Sequence, residues 1–124
     1  MKVLLSIKPE FAYKIFEGSK QYEYRRVIFK NKKIKKIIVY ASAPVSKIIG
    51  EFEIDEVIED EPKALWQTTK KQSGISEEYF TEYFDGKNTG FAIKVKKTQK
   101  YRNPKCLKQT YGVKPPQSFQ YIHS

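Results

Sequence analysis

Within the stretch Gly18-Ser19-Lys20-Gln21-Tyr22-Glu23-Tyr24-Arg25, a lysine, a glutamate and an arginine stand two or three positions apart. An ammonium and a guanidinium held side by side can grip a phosphate or a base edge. The carboxylate between them orients the arginine or accepts from an amino group. A desolvated lysine can also act as a nucleophile or a proton acceptor. The plainer alternative is a surface Glu23–Arg25 salt bridge, which would contribute little.

These side chains need rigid backbone on both sides, and the flanking pattern supplies it. Val3-Leu4-Leu5-Ser6-Ile7 reads as a short buried strand. Pro9 then opens a helix over residues 9 to 17, with Phe11/Ile15 and Ala12/Phe16 as its core stripe and Gly18 as a left-handed cap. Gln21 to Arg26 alternates with period two, setting Glu23 and Arg25 on one face and Tyr22, Tyr24 and Arg26 on the other. Ile37 to Ala41 is apolar on both faces, as a central strand is. Lys47 to Glu59 is the clearest strand, and the shift of its apolar parity at Val57 predicts a bulge near Asp55-Glu56.

Pro62 opens a short helix through Trp66, which the pattern assigns to core or lid. Ser76 caps another helix over Glu77 to Phe84, with Ile75 and Phe80 spaced as a hydrophobic staple. Phe91 to Lys96 alternates as a strand with Phe91, Ile93 and Val95 inward. The tail from Asn103, with Pro104, Pro115 and Pro116, reads as loop and short helix. Strand, helix, several strands, helices, strand suits an α+β domain spanning residues 1–124, built on a curved sheet or small barrel. Neither GxGxxG nor a P-loop occurs, and regular βαβ alternation is absent.

Composition narrows the partner. The chain has 124 residues, 24 Lys and Arg against 14 Asp and Glu, and a formal charge of +10. That surplus favours a polyanion. Eight bases and one acid lie between Lys20 and Lys36, whereas Glu51 to Glu61 holds seven acids and no base. Beyond Asp85 there are nine bases and no acid. Lys8, Arg26, Lys32 and Lys33 join Lys20 and Arg25 as candidate phosphate contacts. Tyr22, Tyr24, Tyr101 and Tyr111 are candidate stacking platforms among the bases.

A lone Cys106 and a lone His123 leave no disulfide and no zinc site, and the alternating acids of the Glu51 run read as a solvated face rather than a metal site. Cys106, beside Lys105 and Lys108, has no histidine placed to activate it. With no cofactor motif and no apolar run approaching a membrane span or signal peptide, the expectation is a cytoplasmic protein without cofactor, metal or membrane partner.

Gly18-x-Lys20-x-x-Glu23-x-Arg25 resembles the GxKxxExR signature of the ASCH domain, a branch of the PUA-like superfamily. The likeness extends to Leu5-Ser6-Ile7-Lys8-Pro9, Tyr40-Ala41-Ser42, Ile49-Gly50-Glu51-Phe52 and the closing Pro115-Pro116-Gln117-Ser118-Phe119. It implies a PUA-like small mixed β-barrel with flanking helices and a cleft beside the first helix, lined by the signature residues. Family members are proposed to bind RNA, and relatives are often labelled transcriptional regulators by analogy. The resemblance thus implies an RNA- or nucleotide-binding module with Lys20, Glu23 and Arg25 at the ligand.

One bacterial branch is described as an amidohydrolase of acylated cytidine, in which a Lys works with a hydroxyl residue and a carboxylate. Lys20 stands at the matching place here as nucleophile or base, with Glu23 where that hydroxyl would be. Gln72-Ser73-Gly74 stands where the carboxylate is sought. Ser6 or Ser42 could supply the hydroxyl and Glu51 or Glu53 the carboxylate, without an alignment to those roles. A DNA- or protein-binding regulator using the basic surface is the third reading.

Overall fold

The structure, a computed structural model, describes residues 1–123. Its elements run β1 (Lys2–Ile7), α1 (Pro9–Glu17), β2 (Tyr22–Arg25), β3 (Lys36–Ala41), β4 (Lys47–Asp60), α2 (Pro62–Thr69), a 3-10 turn (Lys70–Gln72), α3 (Glu77–Tyr83), β5 (Gly90–Lys105), α4 (Leu107–Tyr111) and β6 (Phe119–Ile122). The strands form one six-stranded sheet in the order β2-β5-β4-β3-β1-β6. β1 and β3 pair in parallel, with α1 in the crossover between them, and every other pair is antiparallel. The expected α+β architecture is therefore present, but β2 and β6 do not pair and the sheet stays open rather than closing into a barrel.

The two long strands bend the sheet. The β4–β5 ladder shifts register at Ile48/Gly50, Glu53/Ile54 and Ile54/Glu56, and the last shift places the expected bulge. β5 runs to Lys105, well past the strand predicted to end at Lys96, and the tail adds β6 where only loop and short helix were expected. A Lys-rich strand with almost no apolar residue carries no burial signal; its pairing with β4 decides it.

The sheet buries both faces. One face packs Val3, Leu5, Ile37, Val39, Phe52 and Ile93 against Ala12 and Ile15 of α1. The other packs Leu4, Ile38, Tyr40, Ile48 and Ile122 under Leu107 of α4. A third cluster joins Tyr22, Tyr24 and Ala92 to Leu65, Phe80 and Phe84, so α2 and α3 dock on the β2 end of the sheet.

Arg25 spans the opening that no strand closes. From edge strand β2, its guanidinium donates to the Ser6 carbonyl of β1 at 3.3 Å and to the Ser118 carbonyl just before β6 at 2.8 Å. Side-chain hydrogen bonds stand here where a closed barrel would have a backbone ladder.

Candidate functional site

Gly18 builds the first part of the site. At φ 95 it reverses the chain after α1, and the Lys20 N–H returns to the Lys14 carbonyl at 3.1 Å. The segment after α2 then closes over Lys20 through successive carbonyls. Gln72 accepts from the Gln21 N–H at 2.8 Å, Ser73 accepts from Lys20 Nζ at 2.8 Å, and Gly74 accepts from Lys14 Nζ at 3.2 Å. Gly74 sits at φ 69, and a side-chain carbon there would collide with the Cβ and Cγ of Lys20. Glycine is therefore required for this close approach.

Lys20 is 1% exposed, yet among the described residues no carboxylate salt-bridges its ammonium. Its Nζ lies 4.8 Å from the Tyr24 ring centroid and 5.4 Å from that of Phe11. One carbonyl and two ring faces thus replace bulk water. Burial drives its pKa from 10.5 down to about 8, a fall that Glu23 opposes and Lys14 assists. Tyr24 is held as a neutral phenol: Thr69 gives its one proton to the Leu65 carbonyl, so Tyr24 donates to the Thr69 hydroxyl at 2.6 Å. Burial pushes the Tyr24 pKa up to about 12.

Lys20 lies at a cavity of about 210 Å3. Ser6, Ile7, Lys8 and Phe11 line it from the β1–α1 side, and Glu23, Arg25 and Arg26 from β2 and just beyond. Ile75, Tyr79 and Tyr83 come from α3 and the segment before it, and Gln117 from the segment leading into β6. Lys8 Nζ lies 5.1 Å from the Tyr79 ring centroid, and the Arg26 guanidinium 4.7 Å from that of Tyr83. Glu23, 6% exposed, accepts from Arg25 at 3.2 Å. With two carbonyls and this carboxylate on its guanidinium, Arg25 orients Glu23 and ties the cavity walls together.

The structure thus brings Lys8, Lys20, Glu23, Tyr24, Arg25 and Arg26 to one cavity and leaves Tyr22, Lys32, Lys33, Tyr101 and Tyr111 outside its lining. Tyr22 is buried in the β2–α2–α3 cluster, because α2 and α3 cover its face of β2, so its ring is not open to a ligand. Lys32 and Lys33 lie on the β2–β3 loop, with Lys32 beside a second cavity. Tyr101 and Tyr111 pack against the α4-side cluster. Of the residues weighed for hydrolysis, Ser6 reaches the cavity but donates to the Pro116 carbonyl at 2.9 Å. Ser42 and Glu53 are not among the cavity's lining residues, and Glu51 is held elsewhere by Lys2 at 2.8 Å and the Tyr101 hydroxyl at 3.3 Å.

Phe11, Tyr79, Tyr83 and Gln117 are wall residues that sequence spacing did not single out as ligand contacts. Tyr79 and Tyr83 are one helical turn apart behind the Ser76 cap, where the Tyr79 N–H donates to Ser76 Oγ at 3.0 Å. Their common helix face was legible; the sheet end it meets was not. Trp66 is half-buried against Phe80, at 4.9 Å between ring centroids. Among the described residues no cluster of three or more His, Cys, Asp or Glu could hold a metal ion. No helix there is long and apolar enough to cross a membrane.

ASCH from Zymomonas mobilis superposes with a TM-score of 0.90 at 28% identity, over 98% of this chain and 87% of that one. In sequence, the ASCH domain-containing ribonuclease of Zymomonas mobilis is 29% identical over 125 residues, 98% of this chain and 84% of that protein. The large ribosomal subunit protein uL22 of Ureaplasma parvum serovar 3 is 32% identical over 123 residues, but this chain spans only 39% of its length. Residues 1–122 match the family described as "Domain of unknown function (DUF365)". The chain belongs to that family, and its fold is that of the PUA-like ASCH domains.

Proposed function

We propose that the chain binds RNA, with one nucleotide unit entering the cavity above Lys20. The observation that carries this reading is a buried lysine, without a salt-bridge partner among the described residues, at a cavity rimmed by Lys8, Arg25 and Arg26. A phosphate meets the cations at the mouth, and Glu23 accepts from a base or ribose donor. The charge of +10 draws the polyanion in, and similarity to a protein named as a ribonuclease supports the choice of RNA.

Strand cleavage at the same site is a second reading, favoured by the lowered Lys20 pKa. At pH 7 about a tenth of Lys20 is neutral and able to take a proton. A neutral amine removes the ribose 2′-hydroxyl proton. The 2′-oxygen then bonds to the adjacent phosphorus while the bond from phosphorus to the 5′-oxygen breaks. The leaving 5′-oxygen takes a proton from water, the lysine ammonium returns its own proton to the solvent, and a 2′,3′-cyclic phosphate remains.

The test is equilibrium binding of end-labelled single-stranded RNA at several salt concentrations, with product analysis on the same samples. Binding should weaken steeply with salt. Lys20→Met should lower affinity on the order of tenfold and abolish any cyclic-phosphate product. A stronger preference for duplex DNA, or RNA binding unaffected by Lys20→Met, would overturn the reading. Release of acetate from N4-acetylcytidine without RNA binding would favour amidohydrolysis instead.

A further inference from the structure

The cavity of about 210 Å3 falls below the roughly 300 Å3 at which pockets enclosing a whole small ligand begin. A base or a ribose phosphate fits it, and the rest of any ligand must lie on the rim. On that rim stand two half-buried tyrosines, each with a cation over its ring: Lys8 over Tyr79 and Arg26 over Tyr83. Their ring planes are within 12° of parallel, with centroids 6.4 Å apart. Both rings are fixed edge-on by neighbours, Tyr79 by Phe11 at 5.1 Å and Tyr83 by Phe84 at 4.9 Å.

We infer that Tyr79 and Tyr83, with Lys8 and Arg26, form a second subsite that stacks a base next to the nucleotide in the cavity. The ligand is therefore single-stranded RNA of at least two nucleotides. The inference rests on the reading of the cavity as an RNA site and adds the length and strandedness of the ligand. An incoming base takes the place of a cation on the ring face, and the displaced cation pairs with the phosphate that arrives with that base. The ring orientations exist before binding, so stacking requires little ordering of the protein. Interior bases of a duplex are already stacked on both faces and cannot use the platform.

Calorimetric or fluorescence titration with adenosine monophosphate and with the dinucleotide ApA tests this. ApA should bind on the order of tenfold tighter than the mononucleotide. Tyr79→Leu with Tyr83→Leu should erase that advantage, and a cooperative urea unfolding curve shows that the variant is folded. Tyr79→Phe with Tyr83→Phe should keep the advantage, since the ring and not the hydroxyl is used. Equal affinity for the two ligands in the wild-type protein overturns the subsite alone. So does a leucine pair that leaves the advantage intact, or a phenylalanine pair that loses it. Binding of neither ligand overturns the RNA reading as well.

Discussion

Lys20 and Glu51 are both buried charges, and the molecule treats them in opposite ways. Glu51 is 7% exposed and receives a full ion pair from Lys2 at 2.8 Å plus the Tyr101 hydroxyl at 3.3 Å. Burial alone would raise its pKa, but the hydrogen bond and charge of Lys2 outweigh that and hold it below 4.5. Lys20 receives a carbonyl and two aromatic faces, with Glu23 near enough to act on its proton but not salt-bridged to it. One charge is neutralised and serves structure. The other keeps a proton that leaves near pH 8 and borders a cavity. Depth of burial does not separate a structural charge from a functional one; the partner does.

The largest expected effect comes from the residue that permits the Lys20 arrangement. Gly74→Ala combines a positive φ with a collision against the Lys20 side chain. It should cost about 3 kcal/mol in urea unfolding. Gly86, at φ 78 with open space around it, supplies the control. Gly86→Ala bears only the backbone penalty, about 1 kcal/mol. Equal losses in the two variants would show that Lys20 is not tightly held.

Next in size is a pair of methionine substitutions. Lys2→Met leaves the Glu51 carboxylate buried with only Tyr101 as a hydrogen-bond donor, and should cost about 2 kcal/mol without changing RNA affinity. Lys20→Met removes a charge that burial disfavours and fills the same space. At pH 7 its stability should equal or exceed that of the wild type. If Lys20→Met were the more destabilising of the two, Lys20 would be the structural charge and the contrast would be reversed.

Local chemistry made much of this legible in the sequence. The Gly18 cap, the period-two strand after it and the parity shift at Val57 are short-range signals, and each has its counterpart in the structure. The signature residues Lys20, Glu23 and Arg25 could be named for the same reason. The rest depends on what arrives from far along the chain. Tyr22 looked like a platform because β2 alone shows an open face; α2 and α3 cover it. Arg25 was legible as a ligand contact, but not as a tie between walls, because that role rests on acceptors 19 and 93 residues away. Tyr79 and Tyr83 became wall residues only when α3 met the end of β2.

The smallest effect is also the one that isolates the Lys20 proton. Its pKa is about 8 folded against 10.5 for the unperturbed side chain, so between those values the unfolded chain binds more protons and stability rises with pH. The wild type should gain about 1 kcal/mol over Lys20→Met between pH ~8 and ~9, read from paired urea unfolding curves. Tyr24 acts in the opposite sense. Its folded pKa of about 12 exceeds the usual 10.0, so its contribution is lost as pH climbs past 10, and the comparison should stop below that. Glu51, with a lowered pKa, contributes stability above 4.5 that is lost as pH falls, so it leaves the alkaline limb untouched. A flat difference between wild type and Lys20→Met from pH ~7 to ~10 would mean that Lys20 stays protonated throughout. It would then remain a cation that binds, and the strand-cleavage reading would lose its base.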